Sequence, residues 1–198
     1  MTVGTADPGS GNEFPFGDGI GTDYEQVYNS TDFSGTLLIN QISFFNTQYG
    51  AGTSSWSPGT YAFYLSTTAA AVNNLVGSDE GANNQLFGTY NLSGAVPSPQ
   101  IVFNGTGFNY DPNQGNLLLD IQITGRNGAS STVFMDAMNG DAGTLMSRWY
   151  NYGSGAESFG LVTEFADAGN IVPDGGSTLM LLSGGSLCLL GLRRKFLS

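Results

Sequence analysis

Turn-forming residues interrupt this sequence about every 10 to 15 residues, and this spacing limits the possible folds more than any other feature. Gly accounts for 30 of the 198 residues, and Asn, Ser and Pro supply further turns. Segments of this length form strands, but they are too short for the helical crossovers that join parallel strands. The sequence therefore predicts an all-β fold, an antiparallel β-sandwich of the jelly-roll type, plus a single C-terminal hydrophobic helix.

The clearest strand pattern covers Asn116–Thr124. Its apolar residues at 117, 119, 121 and 123 share one face, and Asp120, Gln122 and Thr124 occupy the other. Leu37–Phe45 changes phase in its middle, which predicts a β-bulge near Asn40 and Gln41. Further strands are predicted at 24–29, 60–66, 85–90, 100–103, 132–138, 145–150 and 158–165. The segment 67–84 is the one place where the pattern allows a helical turn.

The C-terminal end has a composition of its own. The motif Val172, Pro173, Asp174, Gly175, Gly176 precedes an uncharged run from Ser177 to Leu192, and Arg193, Arg194 and Lys195 follow. As a helix this run rises about 24 Å, slightly less than the roughly 30 Å of a hydrocarbon core, so it spans a membrane with some local adjustment. The basic cluster then stays cytoplasmic. The alternative, a buried helix of a soluble domain, is disfavoured because such helices carry a polar face.

This order of motif, apolar run and basic cluster resembles the PEP-CTERM sorting signals of bacteria, and most closely their VPDSG variant. The resemblance implies that an exosortase-type transpeptidase recognises residues 172–176 and removes the tail. It also implies that the inner-membrane anchor is transient, and that the processed protein ends at the cell surface or outside the cell.

The predicted domain organisation follows from these patterns. Residues 1–21 form a mobile N-terminal segment, which Phe14 and Phe16 are positioned to pin to the core. Residues 22–166 form the sandwich, 167–176 the spacer and sorting motif, 177–192 the transmembrane helix and 193–198 a basic cytoplasmic tail. Residues 1–21 lack the basic start and apolar stretch of an export signal, so we expect the natural start to lie further upstream.

Charge and composition exclude several classes of function. The net charge at pH 7 is −11, and Arg126 and Arg148 are the only basic residues before the tail. Nucleic-acid binding depends on Lys and Arg contacts with phosphates, so no nucleic-acid partner is expected. The chain has no His, and its one Cys, Cys188, lies in the tail. Catalytic triads, disulfides and zinc sites of the usual kinds are therefore not expected.

Two loops offer oxygen atoms that suit Ca²⁺. Asp111, Asn113 and Asn116 lie in one tight loop, and Asp136 precedes a second loop, 139–143. The alternative in both places is a turn whose Asp and Asn side chains bond their own backbone, and the sequence favours the turn. No other cofactor is expected.

Aromatic residues in loops are candidates for carbohydrate binding, because a flat ring stacks on the apolar face of a pyranose. Trp56 lies in a Ser- and Pro-containing loop near Tyr49, and these two residues are the ligand candidates. Trp149 alternates within a predicted strand and is expected in the core.

Three functions remain. We favour a structural or adhesive protein of the cell surface or exopolysaccharide matrix that is not an enzyme. The first alternative is a carbohydrate-binding module, with Ca²⁺ as a possible requirement. The second is a glycoside hydrolase that uses two carboxylates among Asp136, Glu157 and Glu164, although the last two are too far apart on one strand to act together.

Overall fold

The computed structural model of the chain is built from antiparallel strands, which confirms the all-β prediction. It describes residues 1–9, 11–17, 21–48, 54–126, 133–140, 143–153 and 155–169. The strands in these ranges are β1 (Thr2–Val3), β2 (Asp23–Tyr28), β3 (Leu37–Phe45), β4 (Gly59–Thr68), β5 (Gln85–Leu92), β6 (Gln100–Tyr110), β7 (Asn116–Thr124), β8 (Ala137–Asn139), β9 (Met146–Tyr150), β10 (Phe159–Leu161) and β11 (Thr163–Ala166). Two short 3-10 helices, Ser30–Asp32 and Pro112–Gln114, accompany them.

The strands form two main sheets. One has the order β1-β11-β3-β6, and the other has the order β5-β4-β7-β2-β9. The short strands β10 and β8 form a separate pair. Inward side chains of both main sheets belong to a single hydrophobic core, which places the sheets face to face as a sandwich.

The strand β7 lies at the centre of the five-stranded sheet, between β4 and β2. Its bounds are those predicted, and its four apolar residues at 117, 119, 121 and 123 are buried in the core. The opposite face differs from the expectation, because Leu118 and Asp120 are buried there as well. A second layer of chain therefore covers the outside of this sheet.

That covering layer is residues 69–84, which connect β4 to β5 and which we call the arm. The arm contains no helix, so the helical turn allowed by the sequence does not form. Instead Asn73 adopts a left-handed φ of 66°, and its backbone N–H donates to Ser147 Oγ at 2.7 Å. Leu75 packs on Val27 and Leu118 as a second, small hydrophobic cluster. Gly77 passes beneath Trp149, where a Cβ would lie 2.3 Å from the indole ring, so any larger residue is excluded.

The bulge predicted in β3 is confirmed. The register against β6 shifts between Ile39 and Gln41. Ile39, Ile42 and Phe44 consequently all point into the core, although they do not share one alternation phase.

The N-terminal segment is more ordered than predicted. β1 pairs with β11, through Thr2 with Glu164 and Val3 with Thr163, and Val3 is buried. Phe16 is completely buried and packs against Phe44, Trp56 and Phe103, so the expectation that it pins this segment to the core is confirmed. Strand pairing at Thr2–Val3 and the burial of Phe16 thus hold two parts of the segment that the sequence predicts to be mobile.

The predicted transmembrane helix and its flanking residues, 170–198, lie outside the described residues. Among the helices within the described ranges, none combines the length and the apolar character needed to cross a bilayer.

Phe16→Ala tests how far the core depends on the N-terminal segment. Removing a fully buried phenyl ring leaves a cavity, so we expect a loss of about 3–5 kcal/mol in the free energy of unfolding. Urea unfolding monitored by fluorescence measures it. Leu86→Ala, at a residue that is largely exposed, is the matched control and should change stability by less than about 0.5 kcal/mol. Equal effects of the two substitutions would contradict this packing.

Candidate functional site

An aromatic cluster forms where the N-terminal segment crosses the end of β9. Phe14 stacks on Tyr150 with ring centroids 4.9 Å apart, and Tyr152 contacts both rings at 5.5 and 4.8 Å. We call Phe14, Tyr150 and Tyr152 the aromatic cluster. Tyr152 is 39% exposed, and a shallow cavity beside it is lined by Pro15, Tyr24 and the three rings. The cluster thus offers apolar ring surface next to solvent.

Arg148 packs against two rings of the aromatic cluster and holds them in position. Its guanidinium lies 5.3 Å from the centroid of Phe14 and 5.2 Å from that of Tyr150. Two of its nitrogens donate to Glu157 Oε2 at 2.8 and 2.7 Å, and the Tyr150 hydroxyl donates to Glu157 Oε1 at 2.9 Å. Burial and this carboxylate together raise the pKa of Tyr150. The rings are therefore held in place by an ion pair as well as by packing.

Trp56, one of the two ligand candidates from the sequence, does not lie in this cluster and is buried. Its side chain is 6% exposed and packs edge-on against Phe16 and Phe103, with centroid distances of 5.5 and 6.5 Å. Its backbone N–H donates to the carbonyl of Gly94 at 2.9 Å, which pulls the loop onto the core. The neighbouring Ser and Pro residues correctly indicate a loop, but the large apolar ring is buried beneath it. Tyr49 lies outside the described residues.

The first candidate Ca²⁺ loop has the hydrogen bonds of a turn. Asp111 Oδ1 accepts from the backbone N–H of Asn113 at 3.0 Å and from its side chain at 2.9 Å, which caps the 3-10 helix 112–114. These hydrogen bonds lower the pKa of Asp111. Asn116 faces other partners, since it accepts from the Ser30 N–H at 2.9 Å and donates to the Ala70 carbonyl at 2.8 Å. Asn116 therefore links its own loop to Ser30 and to Ala70 of the arm, while Asp111 and Asn113 bond each other.

The second candidate loop is also built around backbone hydrogen bonds. Asp136 Oδ1 accepts from the N–H groups of Thr47 and Gln48 at 2.8 and 3.0 Å, and Oδ2 accepts from the Thr47 hydroxyl. Asp136 thus holds the chain that leaves β3. Asp141 lies outside the described residues.

The three carboxylates considered for hydrolysis have separate partners. Asp136 bonds Thr47, Glu157 bonds Arg148 and Glu164 accepts from Gln100 Nε2 at 2.7 Å. Asp136 and Glu164 are thus held by neutral donors and Glu157 by a cation.

A group of carboxylates that the sequence did not single out lies on the outer face of the five-stranded sheet. Glu25 of β2 is the register partner of Asp120 of β7, and Asp23 lies two residues from Glu25 on the same face. We call Asp23, Glu25 and Asp120 the acidic cluster. Burial raises the pKa of both Glu25 and Asp120 to about 8, and neighbouring carboxylates contribute to each rise. The alternation of β2 and β7 placed these acids on one face, but their burial depends on the arm, which no local pattern indicates.

Metal binding depends on whether the described residues contain the ligand groups that metal ions need. Among residues 1–169 outside the gaps given above, no group of three His, Cys, Asp or Glu side chains is arranged to hold a metal ion.

Comparison with known proteins identifies the C-terminal end. The chain ends in a bacterial-type sorting signal of the PEP-CTERM class. In particular, the family model described as the VPDSG-CTERM motif matches residues 172–196, which confirms the resemblance seen in the sequence. The match does not extend into the sandwich. Neither a curated protein nor a solved structure matches the chain.

A double-mutant cycle tests the ion pair that holds the aromatic cluster. Arg148→Met leaves the partly buried Glu157 carboxylate without its cation, and Glu157→Gln keeps its shape without its charge. We expect a coupling free energy of about 1–3 kcal/mol between the two positions, because two guanidinium nitrogens donate to Glu157 Oε2 and Arg148 is largely buried. Urea unfolding of the four proteins measures it. A coupling below about 0.3 kcal/mol would show that the pair behaves as an exposed one.

Proposed function

We propose that this chain is an exported bacterial protein that is processed at its C-terminal sorting signal and then serves a structural or adhesive role with exopolysaccharide at the cell surface or in the extracellular matrix. The VPDSG-CTERM match at residues 172–196 carries this proposal. Such a signal implies export and passage across a membrane. Signals of this class are generally recognised by exosortases, and an exosortase-type transpeptidase is the partner proposed here.

The uncharged run 177–192 supports a transient inner-membrane anchor. It is bounded on its far side by Arg193, Arg194 and Lys195, which favour the cytoplasmic face. Cleavage near residues 172–176 then separates the sandwich from the anchor.

The fold is consistent with an extracellular binding or structural domain. The connectivity of the strands supports assignment to the jelly rolls. One sheet contains β1, β11, β3 and β6, the other contains β2, β7, β4 and β5, and β8–β10 are inserted before the last strand. No catalytic role is included, because the chain has no His for a general base or triad, and the carboxylates considered for hydrolysis are each tied to a structural partner.

Processing can be tested in a bacterium that expresses a matching exosortase. We expect mass spectrometry of the mature protein to find a new C-terminus within or next to residues 172–176. Replacing Pro173 and Asp174 by Ala should leave the full-length chain in the membrane fraction, because the motif that the transpeptidase reads is lost. Ser198→Ala, outside the matched range, is the control and should be processed normally. Recovery of uncleaved wild-type chain from the medium would overturn the proposal.

Carbohydrate binding is the second candidate function, and the aromatic cluster favours it. Tyr152 offers an exposed ring beside Phe14 and Tyr150, and their positions are fixed by Arg148. A ring held rigidly at the surface stacks on a sugar at a low cost in conformational entropy.

Tyr152→Ala tests this second candidate. We expect it to weaken binding of the full chain to the exopolysaccharide of the producing strain at least tenfold in an affinity-gel assay, because the stacking surface is removed. Leu86→Ala removes an exposed apolar side chain elsewhere and should bind as the wild type does. Unchanged binding in Tyr152→Ala would exclude the cluster as the contact surface.

A further inference from the structure

The acidic cluster lies in an unusual place for three carboxylates. Glu25 and Asp120 are directly opposite each other on neighbouring strands, and they are only 1% and 2% exposed. Like charges at such opposed positions repel each other, and removing them from water adds a desolvation cost. Both effects favour a form of the cluster that carries fewer charges.

Several carboxylate oxygens of the cluster have no donor. Within the described structure, Glu25 Oε2, Asp120 Oδ1 and Asp23 Oδ1 are buried without a hydrogen-bond partner. The other oxygens are satisfied, since Glu25 Oε1 accepts from the Asp79 N–H at 3.4 Å and Asp120 Oδ2 accepts from Gln122 Nε2 at 3.0 Å. An ionised carboxylate only accepts hydrogen bonds, so a donor has to be supplied to each of these sites.

The groups around the cluster add negative charge. The arm contributes Asp79 and Glu80, and both raise the pKa of cluster members through their charge. Strand β4 places Tyr64 opposite Asp120, and β9 places the uncharged Trp149 opposite Glu25.

The two arginines of the sandwich bond groups outside the cluster, although Arg126 lines one cavity together with Asp23. Arg148 is on the inner face of β9 and bonds Glu157. Arg126 donates to the Pro15 carbonyl and to the Tyr61 hydroxyl.

A proton supplies the missing donors more simply than a metal ion does. Glu25 and Asp120 face each other directly, and a proton on either carboxyl turns it into a donor that an ionised carboxylate lacks. A metal ion would require convergent ligands, and the described residues contain no such group of three acids.

We propose that the acidic cluster holds protons at neutral pH, one on Asp120 and one on Glu25, and that loss of these protons at alkaline pH loosens the arm from the outer face of the sheet. The covered surface consists of Val27 and Leu118, on which Leu75 packs. The arm is tied to the cluster through Asp79. Its N–H bonds Glu25, and its Oδ2 accepts from the N–H groups of Val76 and Gly77 at 2.5 and 3.0 Å.

The direction of the pH effect follows from the raised pKa values. The folded carboxyls of Glu25 and Asp120 have a pKa of about 8, and in the unfolded chain they return to about 4. Between these values the folded state binds more protons than the unfolded state. Stability is therefore greatest at the acidic end of this range and declines until the pH passes about 8, and each proton contributes up to about a tenfold change in the unfolding constant per pH unit.

Urea unfolding of the full chain from pH 5 to pH 9 tests the proposal, together with hydrogen exchange at Val76 and Gly77. We expect the wild type to lose stability steadily up to about pH 8, and the protection factors of these two amides to fall before those of β7. Asp120→Asn supplies a permanent donor at position 120, and Glu25→Gln supplies one at position 25. The double variant should lack the slope and should exceed the wild type in stability at pH 8.

Glu164→Gln makes the same chemical change on the other sheet and should keep the wild-type slope. A wild-type stability that is flat from pH 5 to pH 8, or a double variant with the full slope, would overturn the proposal. If the double variant does not fold, the single variant Glu25→Gln still has to lose about half of the slope. Stabilisation of the wild type by Ca²⁺ at pH 8 that the variants lack would show a cation, and not a proton, in the cluster.

Discussion

The structure depends on aromatic packing between its two main sheets. Phe16, Phe63 and Phe103 meet at centroid distances between 4.8 and 6.2 Å, and Phe44 and Trp56 close around them. The sandwich has two arginines and no Cys, and one of the arginines, Arg148, forms an ion pair with Glu157. The hydrophobic effect therefore supplies most of the stability, and the N-terminal segment adds to it by contributing Phe16.

Where strand alternation is local, the sequence predicted the structure well. The bounds of β3 and β7 and the bulge in β3 follow from residue order alone, because a strand that faces one core must keep its apolar set on one side. The prediction failed where a distant segment changes the environment. The arm covers Leu118 and Asp120, and the backbone bond between Trp56 and Gly94 holds Trp56 inward. Both effects depend on contacts between segments far apart in sequence.

The candidate sites likewise divide into those that a local sequence pattern predicts and those that depend on contacts between distant segments. The sorting signal could be identified from sequence because its function depends on a contiguous motif, which the family match confirms. The turn chemistry at Asp111 was also foreseen, since Asp-Pro-Asn is a local pattern. The aromatic cluster and the acidic cluster were not, because Phe14 joins Tyr150 across the sheet end and Glu25 meets Asp120 across a strand pair. Only the register of the folded sheet brings these residues together.

The position of β11 has a mechanical consequence. This strand runs between β1 and β3, and its four register pairs with β3 end at Ala166, just before the chain continues toward its tail. The ladder hydrogen bonds of an antiparallel pair lie perpendicular to the strands. A pull on the tail along β11 consequently loads these bonds together in shear and must also extract the fully buried Phe165. The last strand of the sandwich is thus clamped on both sides against a force applied from its C-terminal end.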